Sequence, residues 1–531
     1  MNRKNLVLPA VIGLLAPVLA ACGSESGGGG DAIVVGTTDR FSATSSAPAP
    51  LDPATAYDTG SWNILRQTVQ TLMSAPRGGG EPVPDAADRC EFTDSENESY
   101  RCTLRPGLSF ADGDRVTPED VKYSIDRVRT IDDDNGAKGL LANIDTVEPR
   151  GGREVVFHLK SPDATFPYKL ATPVAGIVPP RHYAKDRLRE GFAVNGSGPY
   201  TLKAETDGEG SLQRAVFTRN PSYKGELKVR NERVELRSYR DAQSMGDALE
   251  SGDIDLMNRT MTPRQTERLQ SSPPDGVDLV EMPGLEIRYL GFNTEAPQVR
   301  SRAVRQAVAQ LVDRGQIAEE VYGGSAEPLY SLVPTFITGH ATSFFDAYGN
   351  PDTAKAAKLL KDAGIDTPVP LTLHYTTDHY GPATAKEFEV LQKQLNASGL
   401  FDASIKGGKW QDYRKAQLDG EYAVYGMGWF PDFPDADNFV APFLEKDNFL
   451  NSSYTNDTVR DELIPASRRE ADRTAAAASF EQAQDIVARD VPVLPLWQGK
   501  QFVAARDDIT GVEWALSSTS ELQLWELGRG V

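Results

Sequence analysis

Apolar positions along the chain change spacing many times, and each change marks an element. Ala32-Ile33-Val34-Val35-Gly36 is a short apolar run of the kind a buried strand needs. The segment from Phe41 to Pro50 is rich in Ser, Ala and Pro and reads as a loop. From Trp62 to Met73 the spacing becomes helical, with Ile64, Leu65, Thr68 and Leu72 on one side. Tyr100 to Leu104 alternates as a strand. Thr117-Pro118-Glu119-Asp120 then opens a helix: Thr117 can cap it, Pro118 suits the first helical position, and Asp120 completes a capping-box-like pattern. Val121, Ser124, Ile125 and Val128 supply its buried face. Further strands are predicted at Glu154–Leu159, Ala215–Thr218 and Val234–Tyr239, with a strand-like tail at Leu522-Gln523-Leu524. Helices are predicted at Ala242–Glu250, Ser301–Val312, Thr353–Ala363, Ala385–Ala397 and Arg473–Ala488. Strands and helices intermix without a fixed-period repeat, which indicates an α/β or α+β fold with at least two lobes.

One apolar stretch stands outside this pattern. Leu6 to Ala20 follows Arg3 and Lys4, is interrupted by Pro9 and Pro17, and is shorter than the roughly 20 residues a spanning helix needs. It predicts a signal peptide over residues 1–21. The stretch closes on Leu19-Ala20-Ala21-Cys22, which resembles the bacterial lipobox, where the cysteine thiol is diacylated before cleavage. An ordinary signal peptide that happens to end in cysteine is the alternative. Residues 22–31 are then the lipidated Cys22 and a Gly/Ser tether, flexible by composition. The expected location is the outer face of the cytoplasmic membrane, held through the N-terminal lipid.

Composition narrows the picture further. At 531 residues the chain exceeds one simple core, and 39% hydrophobic residues is too many for disorder. Lys+Arg at 56 against Asp+Glu at 76 gives a net charge of -20, which repels phosphate backbones and anionic lipid headgroups. No nucleic-acid partner is expected. With Cys22 lipidated, Cys90 and Cys102 remain as an even pair flanking two short strands and a turn, and a disulfide between them is expected. Two free thiols or a metal pair are the alternatives, though no histidine lies close in sequence.

Enzyme signatures are absent from the sequence: there is no His-Glu-x-x-His, no Gly-x-Ser-x-Gly and no phosphate loop. His158, His182, His340, His374 and His379 do not cluster, and surface or packing roles are expected for the last two. Asp132 to Gly136 superficially suggests a calcium loop, but the register set by Gly136 puts Ile131 first and Ala142 last, so it reads as an acidic loop. No metal site, cofactor or catalytic residue is expected.

Several runs occur in an order that matches a known family. Leu104-Arg105-Pro106-Gly107, Phe110-Ala111-Asp112-Gly113 and Val116 to Val121 come first. Gly196-Ser197-Gly198-Pro199-Tyr200, Arg219-Asn220-Pro221-Ser222-Tyr223 and Leu249 to Asp255 follow. Gly291-Phe292-Asn293-Thr294, Val304-Arg305-Gln306-Ala307, Gly428-Trp429 and Val493-Leu494-Pro495-Leu496 complete the set. Together these resemble family 5 extracellular solute-binding proteins, the capture subunits of oligopeptide, dipeptide and nickel ABC importers. The resemblance implies an α/β two-lobed clamp (type II, cluster C) with an extra subdomain on the first lobe. By analogy the first lobe takes residues 32–61, 192–286 and 500–531, the extra subdomain 62–191, and the second lobe 287–499. Hinges fall near Tyr289–Asn293 and Trp497–Gln501.

In peptide-binding members a matching Gly-Trp-x-x-Asp sets the aspartate against the peptide's α-ammonium, and Asp432 holds that position. A desolvated ammonium needs a fixed counter-charge, so the assignment is chemically sound. Trp429 is expected as an aromatic wall; Phe430, Trp410 and Tyr425 are candidate cleft-lining residues, with core packing the preferred role for Trp410 and Tyr425. Turn capping is the competing role for Asp432 and the expected one for Asp435 and Asp437. Arg288 and Arg305 are the only guesses for a partner to a ligand carboxylate. The implied partners are a peptide ligand and an ABC permease and ATPase complex, with the chain itself a monomer. A nickel chelate, a sugar, or a sensory or adhesion role without transport are the alternatives.

Overall fold

The computed structural model describes residues 32–530 except 78, 259, 260, 447 and 449; the expected signal peptide, Cys22 and the tether lie outside them. Among the described residues, no helix is long and apolar enough to cross a membrane.

Two long neighbouring strands, Val277–Phe292 and Val493–Arg506, run antiparallel through the centre of the molecule. They form the middle of an eleven-stranded sheet, and Val493–Arg506 also pairs with the short strand Ala326–Pro328. On one side Leu256–Asn258, Ile33–Thr37, Arg233–Ser238, Leu212–Arg219 and Tyr200–Thr206 follow in order. Ile33–Thr37 pairs in parallel with both its neighbours, and its apolar run suits a strand covered on both faces. On the other side come Val424–Trp429, Val369–Thr376 and Phe401–Gly408.

Buried apolar side chains gather into two large clusters. The first runs from Ile33 to Met282 and resumes from Val503 to Leu527; the second runs from Leu285 to Trp497. A small third cluster holds Met245, Leu249, Ile254 and Leu269 against Ala504. The chain therefore changes cores between Met282 and Leu285, and again after Trp497. The ladder between the two long strands is interrupted at the first of these points. Pro283 pairs with Lys500 and Ile287 with Gln498, so three residues, 284–286, face the single Gly499. Gly284 lies so close there that a Cβ would sit 2.4 Å from the carbonyl oxygen of Gly499. A second irregularity falls between Arg288 and Tyr289, at the edge of the segment expected as a hinge: they pair with Trp497 and Pro495 and skip Leu496, after which Leu290 and Gly291 pair in regular register with Leu494 and Val493.

An antiparallel four-stranded sheet stands apart, in the order Ala87–Phe92, Ser99–Leu104, Glu154–Leu159, Ile144–Arg150. Cys90 and Cys102 face each other across its first pair and form a disulfide. Helix Pro118–Ile131 covers this sheet. Its capping box is complete: Thr117 Oγ1 accepts from the Asp120 N–H, and Asp120 Oδ2 accepts from the Thr117 N–H. Arg127 on this helix is buried and meets Asp52 through two bonds of 2.7 and 2.6 Å, a link the apolar pattern gives no sign of.

Two elements differ from expectation. The helix predicted over Trp62–Met73 runs only from Thr59 to Thr68, and Met73–Ser74 is a short strand. The Thr68 carbonyl is taken by the Gly198 N–H at 3.0 Å, while Val69 turns extended, so propagation stops. Gly198 has no room for a side chain at that contact, since a Cβ would lie 2.5 Å from the Thr68 carbonyl carbon. The tail at Leu522–Leu524 forms an isolated bridge and a turn of 3₁₀-helix instead of a strand, yet Leu522 and Leu524 are buried in the first cluster.

Candidate ligand-binding site

Strand Val424–Trp429 is buried along its whole length and pairs with Ile287–Phe292. Where it ends, the loop 430–436 and the first residue of helix Asp437–Leu444 bring three carboxylates into a small space. Asp435 is met by Arg473 in a two-bond pair, Nε to Oδ2 at 2.7 Å and Nη2 to Oδ1 at 2.9 Å. Asp437 is met by Arg468 at 3.0 and 3.2 Å, and Arg468 also reaches Glu445. Asp435 has the turn role expected of it as well, because its Oδ1 accepts the Asp437 N–H.

Asp432 differs from both. It is 8% exposed, and among the described residues no cationic side chain forms an ion pair with it. Among the described residues its carboxylate accepts from two neutral donors, the Tyr57 hydroxyl at 3.2 Å and the Asn438 amide at 3.3 Å. Asn438 also accepts the Asp432 N–H at 2.8 Å, so one amide in the first turn of the helix fixes both the backbone and the side chain. Burial pushes the Asp432 carboxyl up to about 6, against the pull of Asn438, Tyr57 and the more distant Lys169. Lys169 itself is engaged with Asp163 at 2.6 Å. The arrangement is a desolvated, fixed acceptor without a counter-charge.

Asp432, Phe433 and Pro434 form one wall of a narrow recess between the lobes; Arg66, Tyr168, Ser517–Thr519 and Glu521 belong to the opposite walls. The lobes meet directly around it. Tyr57 reaches Asp432, the Tyr168 ring lies 5.7 Å from that of Phe433, and the Ala164 N–H donates to the Arg468 carbonyl at 2.8 Å. The Asn97 amide donates to the Arg469 carbonyl at 2.8 Å.

Of the residues singled out from sequence, only Asp432 lines this recess. Trp429 is 7% exposed and turns its ring edge toward Phe443, in the core of the second lobe. Tyr425 is buried behind Gly291, whose absent Cβ makes room for the ring. Trp410 stacks on His379 at 3.8 Å, and burial pushes that imidazole down to about 4. Phe430 is 36% exposed and lies over Arg288. Arg288 is buried against Tyr380 and Trp497 and pairs with Glu286 at 2.5 Å; its Nη1 passes 1.8 Å from where a Gly428 Cβ would be. Arg305 donates to the carbonyls of Val299, Arg300, Asp490 and Val491, so its guanidinium is committed to the backbone. Sequence reasoning missed Tyr57, Asn438, Arg66 and Glu521. Tyr57 lies 375 positions from Asp432, and no local pattern connects them.

Comparison with known proteins gives this geometry a setting. Residues 81–451 match the model described as bacterial extracellular solute-binding proteins, family 5 Middle. The chain is 26% identical over 478 residues to the probable D,D-dipeptide-binding periplasmic protein DdpA of Escherichia coli (strain K12), covering 87% of this chain and 89% of that one. It is 25% identical over 527 residues to the oligopeptide-binding protein OppA of Bacillus subtilis (strain 168), covering 93% and 94%. The solved ABC transporter substrate-binding protein CtaP of Listeria monocytogenes shares the fold, with a TM-score of 0.79 and 22% identity over 95% of this chain and 100% of that one. On the extent of that match, the chain belongs to the bacterial extracellular solute-binding proteins, family 5.

Proposed function

We propose that this chain is a substrate-binding lipoprotein that captures peptides with a free amino terminus and delivers them to an ABC permease and ATPase complex. The observation that carries the reading is the isolation of Asp432. Two of three neighbouring aspartates have their own arginines, whereas among the described residues Asp432 has neutral donors alone. An ammonium supplies the missing charge, and a hydrogen bond to a charged group is worth about 1.5–3 kcal/mol. The names of the relatives, a dipeptide-binding and an oligopeptide-binding protein, support a peptide as the ligand.

The clamp reading assigns residues 32–61, 192–286 and 500–531 to the first lobe, 62–191 to its extra subdomain and 287–499 to the second lobe. The change of cores near 282–285 and after 497 supports that division. A ligand bridging Asp432 and the facing lobe stabilises the closed form by its differential affinity for it. No covalent chemistry is involved, so the chain acts as a binder and not an enzyme. A lipid on Cys22 keeps the clamp near its permease and raises its effective concentration there.

Calorimetric titration with Ala-Ala-Ala and its N-acetylated form tests the ammonium role. Wild type binds the free peptide at least about tenfold more tightly than the acetylated one, and Asp432→Asn loses the difference. Equal binding of both peptides by wild type refutes the assignment. For the anchor, Cys22→Ala protein is released from cells yet binds peptide when purified; retention at the membrane refutes the lipid.

A further inference from the structure

Of the large apolar side chains among the described residues, Phe336 is the most exposed, at 77%. Its backbone is unusual as well. The Ile337 N–H donates to the Pro334 carbonyl at 3.4 Å and closes a turn, and Phe336 stands at the third position of that turn with a φ of 73°. Glycine or asparagine usually fills this place, because a Cβ is crowded in the left-handed region. A bulky aromatic ring is therefore held here against its backbone preference and out in water, and strain of this kind persists only where the surroundings enforce it.

The surroundings do enforce it. Pro334 and Ile337, on either side of the turn, are buried. Thr335 and Gln498 bond to each other twice, backbone N–H to Oε1 at 2.8 Å and Nε2 to Oγ1 at 2.7 Å. Gln484, buried on helix Ala477–Asp490, accepts from the Val333 N–H at 3.3 Å and donates to the Gly339 carbonyl at 2.7 Å. His340 Nδ1 lies 2.7 Å from the Val333 carbonyl oxygen. Gln498 directly precedes Gly499, and the short strand Ala326–Pro328 that leads into the loop pairs with residues 497–499. The ring is thus fixed to the place where the chain changes cores.

Residues 328–345 contain no Asp, Glu, Lys or Arg, although these make up 25% of the chain. Charged residues are depleted and aromatic ones enriched at the centre of protein interfaces, because a charge must lose its water on contact. We propose that Phe336 is a docking knob that enters an apolar pocket on the external face of the ABC permease. It rests on the chain delivering its ligand to such a permease. A ring anchored where the two cores join takes a position set by the relation of the lobes, and the permease is the partner that must tell a closed clamp from an open one. A lipid surface suits the ring less: one side chain is a weak anchor, and a net charge of -20 is repelled by anionic headgroups. Phe336 is not one of the residues around the Asp432 recess, so docking and ligand capture use different surfaces.

The test uses cells that lack their own copy of this chain, complemented with full-length variants, and follows uptake of labelled Ala-Ala-Ala. Wild type restores uptake, and Phe336→Ala and Phe336→Gly each cut it at least about tenfold. Calorimetry of the purified variants gives wild-type peptide affinity, and Phe336→Gly melts no lower than wild type because glycine suits the turn. A photoreactive benzoylphenylalanine placed at position 336 crosslinks to a permease subunit in intact cells. Uptake unchanged in both variants overturns the proposal. So does a loss of peptide affinity, which would put the ring at the ligand, and so does a crosslink to lipid or to another protein. If wild type binds the peptide yet restores no uptake, delivery to a permease fails and the docking knob fails with it; restored uptake that the variants leave untouched sinks the knob alone.

Discussion

Replacing Asp432 by asparagine should make the ligand-free protein more stable at neutral pH, although it removes the charge on which binding depends. Burial holds the folded-state value at about 6 against an unfolded value of 3.8. Folding therefore takes up a proton between roughly pH 4 and 6, and stability falls as pH rises through that window. At pH 7.5 the ionised carboxyl costs about 3 kcal/mol; at pH 4.5 it costs only about 1. Asparagine keeps an acceptor for Tyr57 and Asn438 and carries no charge to desolvate. At about 2 cal/mol/K per residue, a chain of this size shifts its melting temperature by about 1 °C per kcal/mol. Differential scanning calorimetry without ligand should show the variant melting about 3 °C above wild type at pH 7.5, and about 1 °C above at pH 4.5. A variant that melts below wild type by the same amount at both pH values refutes the reasoning, because Asp432 would then be a compensated structural residue.

Three further outcomes follow from the geometry. Replacing Cys90 and Cys102 together by alanine opens a loop with a sequence separation of 12 and should cost about 3 kcal/mol; reductant should lower the melting temperature of wild type and leave the variant unchanged. Arg127→Met strands the buried Asp52 carboxylate and should cost about 3–5 kcal/mol in denaturant unfolding; a shift below about 1 kcal/mol would mean the pair is solvated. Asn97→Ala removes a bond between the lobes. It should weaken every peptide by about the same two- to fivefold and raise the ligand-free radius of gyration in solution scattering; a change in peptide ranking instead would place Asn97 at the ligand.

Local signals were legible where local energetics decide. Thr117, Pro118 and Asp120 announce a helix start because the cap, the fixed φ and the reciprocal bonds all lie within four residues. The end of the first helix was not legible, since Gly198 takes the Thr68 carbonyl from 130 residues away. The site divides the same way. Asp432 stood out through its match to a short family motif, but nothing local separates it from Asp435 and Asp437. Arg473 and Arg468 make that distinction, and they come from a later helix and its flank. Aromatic residues near a motif stay ambiguous for a related reason. A ring such as Tyr425 or Trp429 satisfies a core as well as it does a cleft, and only the packing around Gly291 and Phe443 decides.

Gly284 meets Gly499 backbone to backbone where the two long strands pass from one core to the other. A methyl group on Gly284 would act as a wedge there, so the close approach of the two strands depends on a position that carries no side chain. The wall facing Asp432 is tied to that ribbon, since the Leu285 N–H donates to the Ser518 carbonyl and the Gln501 amide to that of Ser517. A substitution at the crossing would therefore be felt in the recess as well, and the two cannot be altered separately.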